Sequence, residues 1–109
     1  MGRFTRGEVV LVHFPYSDFS QTKLRPALVL AELEYGDVLL CQITSKTFGD
    51  RNAVSIVVED FETGSLPRSS YARPGRLASV DPDLVSRSLG NLKESKRQQV
   101  IDGLSDLLG

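Results

Sequence analysis

The sequence predicts a mainly β fold: a small, strongly bent sheet or barrel closed by one C-terminal helix. Three observations lead there. Short apolar runs rich in valine, leucine and isoleucine recur from Val9 to Val58. Turn signals separate them, among them Tyr35-Gly36-Asp37, Gly49-Asp50 and Pro74-Gly75. Helical periodicity is confined to the tail, where Val100, Ile101, Leu104, Leu107 and Leu108 fall on one face. Short strands with a single helix bury an apolar face only if the sheet curls around it. The 109 residues contain no repeat, low-complexity tract or linker and read as a single domain over 1–109.

The elements follow in order. Glu8 to Phe14 is rich in β-branched residues and is stopped by Pro15, as in a strand buried on both faces. Tyr16 to Leu24 is polar and reads as a loop. Arg25-Pro26 opens a second apolar run, Ala27 to Leu33, with proline at the first strand position, where no ladder N–H is required. The Tyr35-Gly36-Asp37 turn joins that run to Val38 to Thr44 as an antiparallel hairpin. Ser45 to Asn52 is a loop and Ala53 to Val58 a fourth strand. Asp60 to Arg68 reads as irregular, Ser70 to Val80 as extended but broken by Pro74-Gly75, and Leu84 to Leu89 as a short strand. Asn91, three residues before Glu94, resembles a capping box at the start of the helix. Gly103 inside that helix costs about 1 kcal/mol relative to alanine, which the apolar face offsets.

Composition narrows the chemistry. Thirteen Lys and Arg against fourteen Asp and Glu give a formal charge of −1, which argues against a bulk polycation that coats duplex DNA. A local basic groove is compatible with that total. The single Cys41 forbids an intrachain disulfide, and together with the single His13 it forbids the usual zinc clusters. Cys41 lies in an apolar run and reads as a small core residue. Nothing resembles a signal peptide or a membrane span, so a cytoplasmic location is expected. A Ser-His-Asp triad is not expected when the lone histidine lies in a strand, and the Walker and Rossmann glycine fingerprints are missing.

Two stretches are locally basic. Phe19 to Ala31 carries Lys23 and Arg25 and no acid; Thr63 to Val80 carries Arg68, Arg73 and Arg76 and no acid. Carboxylates gather elsewhere, at Glu32, Glu34 and Asp37 and at Glu59, Asp60 and Glu62. Arg25 is pinned before Pro26 and Arg73 before Pro74-Gly75. An arginine held by stiff backbone grips phosphate bidentately, because its planar fork loses little entropy on binding. His13 reads as an ordinary strand histidine, Asp18 as a turn residue, and Asp81-Pro82-Asp83 as a turn or cap rather than a metal site. Thr44, taken alone, is a threonine at a strand end.

Several motifs together resemble the MazF/PemK family of toxins from type II toxin–antitoxin modules. They are Arg6-Gly7-Glu8-Val9-Val10-Leu11-Val12, Phe14-Pro15-Tyr16-Ser17-Asp18, Lys23-Leu24-Arg25-Pro26-Ala27-Leu28-Val29-Leu30 and Ile43-Thr44-Ser45. Ser70-Tyr71-Ala72-Arg73-Pro74, Leu77 to Asp81 and Leu89-Gly90-Asn91-Leu92 follow in the same order. The resemblance implies the SH3-like small β-barrel of the CcdB/MazF-like plasmid-maintenance toxins. It further implies a homodimer, a cognate antitoxin as partner, and a nuclease that cuts single-stranded RNA with no metal and no other cofactor. Carried over residue by residue, the catalytic groups fall on Arg25 and Thr44. Ser45 stands beside Thr44, and an arginine of the plasmid-encoded relatives falls on Arg73; by charge and loop position, Arg76, Lys23 and the aromatics Tyr16, Phe19 and Phe48 join Ser45 and Arg73 as candidates for binding RNA. This chain departs from the family at two points. Gly75 stands where plasmid-encoded relatives carry an aspartate, and the Ser17 to Thr22 loop has no histidine. The competing reading is a non-catalytic SH3-like barrel that binds a protein such as DNA gyrase, since fold does not dictate function.

Overall fold

The computed structural model describes residues 3–15 and 22–109. Seven strands and one long helix follow in the order β1 (Glu8–Pro15), β2 (Thr22–Glu32), β3 (Val38–Thr44), β4 (Val54–Ile56), β5 (Phe61–Gly64), β6 (Ser70–Val80), β7 (Val85–Leu92) and α1 (Glu94–Leu108). Single 3₁₀ turns at Val58–Asp60 and Pro82–Leu84 precede β5 and β7. The strands form one sheet in the order β4-β6-β3-β2-β1-β7-β5, with every neighbouring pair antiparallel. The sheet bends into a half-barrel with α1 against it. No described helix is long and apolar enough to cross a membrane.

Both faces of the sheet are buried, which explains why β1 and β3 read as apolar runs without alternation. Val9, Leu28, Cys41, Ile43, Ile56, Ala72 and Leu92 face the helix and pack with its Val100, Ile101 and Leu104. Val10, Val12, Ala27, Val29, Val38, Leu40 and Val80 fill the opposite face. Each valine, leucine or isoleucine among them contributes about 1.5–3 kcal/mol when fully buried. Arg25 shares its side of β2 with Ala27 and Val29, and Thr44 shares its side of β3 with Val38 and Leu40. This second face therefore positions the polar end of the sheet.

The predicted hairpin is present, its turn closed by the Leu33 N–H to the Asp37 carbonyl at 2.8 Å. Several expectations are corrected. β2 starts at Thr22, so Lys23 and Leu24 are strand rather than loop, and Arg25 and Pro26, expected at its opening, are interior, with Pro26 opposite Leu11. At Pro26 the strand is laddered to β1, and the ladder to β3 starts only at Ala27, so proline meets edge-like conditions there. Phe61–Gly64, expected to be irregular, is a strand because β7 offers it a partner. Ser70–Val80 is one strand that bulges at Pro74-Gly75 instead of breaking. Asn91 is no cap: it lies in β7 and bonds to the Thr63 and Thr5 hydroxyls, while Lys93 precedes the helix without a side-chain cap. Leu107 and Leu108, assigned to the apolar face, are exposed.

Gly103 has a packing reason. A Cβ there would lie 3.1 Å from Cγ of the buried Pro74, so glycine lets α1 settle against the back of β6.

Candidate functional site

The β2–β3 register pairs Ala27 with Gln42. Two residues further along each strand come Arg25 and Thr44, side by side at the end of the sheet. On the other flank of β3, Ile43 pairs with Ala72 and Cys41 with Leu77, so the four residues Arg73 to Arg76 oppose the single Gln42. A bulge of this kind re-aims side chains. Here it turns Arg73 and Arg76 toward the hollow that Arg25 and Thr44 border.

That hollow holds about 590 Å³. Arg25 lines it from β2, Gln42 and Thr44 from β3, Ser45, Lys46 and Phe48 from the loop after β3, and Arg73 and Arg76 from β6. An adjoining hollow of about 280 Å³ shares Arg25, Thr44 and Ser45 and adds Leu66, Pro67, Arg68 and Ser70. Among the described residues, no carboxylate or imidazole lines either one. The two basic stretches, far apart in sequence, thus converge on one place. Thr44 Oγ1 donates to the carbonyl of Lys46, which leaves the oxygen's lone pairs for an incoming donor.

Arg73 is the most constrained of these cations. Its Nε donates to Asp50 Oδ2 at 3.0 Å, and the two side chains are only 16% and 17% exposed. Asp50 also accepts the Asn52 N–H at 2.9 Å. That backbone bond first, and the Arg73 guanidinium second, hold the Asp50 carboxyl below the usual carboxylate range. The separation of acids from arginines in the sequence therefore does not survive folding at Arg73.

The remaining predicted residues sort clearly. Lys23 is exposed on the same side of β2 as Arg25 but borders neither hollow. Tyr16, Asp18 and Phe19 lie outside the described residues. His13, half-buried on β1 opposite Leu24, borders neither hollow. Asp81 caps its 3₁₀ turn by accepting the Asp83 N–H at 2.9 Å. Cys41 is fully buried, and desolvation pushes its thiol up to about 12, so it stays protonated and inert. Among the described residues, no three His, Cys, Asp or Glu side chains gather where they could hold a metal.

The sequence alone does not single out Gln42, Lys46 or Asp50, and it marks Arg68 only as part of a basic stretch. The alternation of β3 places Gln42 on the Thr44 side, a signal that was available. Asp50 was visible only as part of a Gly-Asp turn.

A sheet bent into a half-barrel, closed by a C-terminal helix, defines the MazF-like class of fold, here with arginines gathered at one end of the sheet. The chain belongs to the PemK-like, MazF-like toxins of type II toxin–antitoxin systems, whose family profile matches residues 5–108. This family is known for endoribonucleases. Among solved structures, MazF from Deinococcus radiodurans is 26% identical, with a TM-score of 0.71 over 94% of this chain and 94% of that one. The MazE-MazF complex of the same organism is 24% identical, with a TM-score of 0.74 and the same two coverages of 94%. An endoribonuclease in complex with its cognate antitoxin, from a mycobacterial species, is 18% identical with a TM-score of 0.74, covering 100% of this chain and 96% of that one. No curated protein sequence matches the chain.

Proposed function

We propose that the chain, as one toxin domain over 1–109, is a sequence-specific endoribonuclease that needs no metal. It cuts single-stranded RNA, mRNA included, and leaves 2′,3′-cyclic phosphate and 5′-hydroxyl ends. One observation carries this reading: Arg25, Thr44 and Ser45 are common to the two adjoining hollows. A strand lying through both therefore carries a phosphate across those three residues.

The chemistry follows from what these groups can do. The substrate's own 2′-oxygen attacks the adjacent phosphorus, the O2′–P bond forms, and the P–O5′ bond breaks. The 2′-OH gives up its proton and the departing 5′-oxygen gains one. Charge grows on the phosphoryl oxygens meanwhile, and Arg25, a permanent cation with a planar fork, is suited to hold it. A guanidinium is a poor base near neutrality, so charge stabilisation is its role. Thr44, its own proton committed to the Lys46 carbonyl, accepts from the 2′-OH and fixes that oxygen in line. Ser45, Lys46, Arg73 and Arg76 hold the neighbouring nucleotides.

The same cations suit an acidic, largely disordered antitoxin segment, which would exclude RNA by occupying its phosphate sites. Solved relatives in complex with antitoxins support that partner. A homodimer in the cytoplasm, where RNA is at hand, completes the reading.

The test is cleavage of a long single-stranded RNA in EDTA. Wild type is expected to leave 5′-hydroxyl ends, and Arg25→Ala to lose about 10²–10³ in rate with its fold intact. Full activity in that variant, or a strict need for Mg²⁺, would sink the mechanism. RNA left uncut across many sequences favours the non-catalytic protein binder.

A further inference from the structure

We infer that Phe48 is a stacking platform for one nucleobase beside the scissile phosphate, an assignment that rests on the endoribonuclease reading and adds a base-binding subsite to it. Thr47 to Asp50 form a tight turn closed by the Asp50 N–H to the Thr47 carbonyl at 3.0 Å. Both central residues have positive φ, 53° at Phe48 and 74° at Gly49, which defines a type I′ turn. Asparagine, aspartate or glycine suits the first central position of such a turn. Phe48 is instead the only non-glycine residue with positive φ among the described residues. Strain of this kind persists where the surroundings over-determine it, commonly at ligand sites.

The ring does not gain packing in return. It is 68% exposed and belongs to neither core cluster. What fixes it is Arg73, whose guanidinium carbon lies 5.3 Å from the ring centroid and is itself anchored on Asp50. One face of the ring thus rests on a cation, and the other is left to solvent at the rim of the hollow that Arg25 and Thr44 share. An aromatic face among Arg25, Lys46 and Arg76 matches a substrate with alternating flat bases and phosphates. Stacking of this sort tolerates any base, so Phe48 supplies affinity and orientation rather than the recognition sequence.

The chain contains no tryptophan, so Phe48→Trp places a single fluorophore on the platform. An uncleavable RNA with a 2′-deoxy nucleotide at the cut site is expected to quench it, and the same strand with an abasic neighbour is not. In steady-state cleavage, Phe48→Ala should raise KM about 5- to 150-fold, the range of base-on-aromatic stacking, with kcat much less affected. Phe48→Trp should keep KM near wild type. Phe48→Asn should raise KM while holding or raising the thermal midpoint, because asparagine tolerates the turn; a merely structural ring would lower the midpoint. The platform is overturned if wild type cleaves and Phe48→Ala keeps its KM, if the tryptophan ignores the uncleavable strand, or if Phe48→Ala acts by changing oligomeric state. RNA uncut by wild type while the tryptophan is quenched removes the nuclease and keeps the base site.

Discussion

The sheet departs from regular pairing in several places, and two of the irregular ladders carry opposite side chains. Between β3 and β6, Arg73 to Arg76 bulge opposite Gln42, and two arginines enter the hollow. Between β5 and β7, Gly64 pairs with Gly90. A Cβ at Gly64 would sit 2.0 Å from the Leu89 carbonyl oxygen, and one at Gly90 would sit 2.2 Å from that of Thr63. The second irregularity exists so that two strands can touch as the sheet bends. The first exists behind charge and is stiffened by an ion pair. A backbone anomaly alone thus says nothing about function until its side chains are considered.

The comparison breaks most sharply at Gly90. Gly90→Ala forces a backbone clash at a positive φ, and we expect it to cost more than about 3 kcal/mol. Against a total of about 5–15 kcal/mol, that is a loss of soluble folded protein, read by denaturant melts. A midpoint close to wild type would make the glycine crossing incidental.

A smaller effect is expected at the cationic bulge. Because the Asp50 carboxyl is held below its unfolded value, it stabilises the fold fully above about pH 4, the ordinary aspartate value. That contribution is lost as pH falls from there through the folded value. Thermal melts from pH 7 to 2 should show Asp50→Asn below wild type near neutrality, with the two converging in acid. Parallel curves would detach Arg73 from its anchor. The smallest effect is expected at Cys41, which faces the helix-side core. Native protein should resist iodoacetamide at pH 8, and unfolded protein should react, because burial keeps the thiol protonated.

What was legible in the sequence tracks what is local. β1 and the β2–β3 hairpin announced themselves by β-branched runs and by a Gly-Asp turn, and the tail helix by its period. β5 was hidden because Phe61–Gly64 has no strand pattern of its own and becomes a strand only through β7. Asn91 and Glu94 had the spacing of a cap, but the β7 ladder reaches Asn91 first. At the site, Arg25 and Thr44 lie on adjacent strands whose hairpin register brings them together, and Ser45 follows in chain. Arg73 and Arg76 join them through a bulge of a size no sequence pattern specifies. Lys23, one strand alternation before Arg25, shares its side of β2 but borders neither hollow. Asp50 on Arg73 was out of reach, because it is a contact across 23 residues.

Pro74 has the arginines on either side of it in the chain and the tail behind it. Its ring abuts Gly103, and Leu107 Cδ1 comes within 3.6 Å of where a Cβ at Gly75 would stand. The last turn of the helix is a doorstop: it backs the bulge that carries Arg73 and Arg76 on the side away from the hollow. Lengthening, shaving or prying away that last turn would loosen the backing of those two arginines from the rear, without touching a single group that faces the hollow.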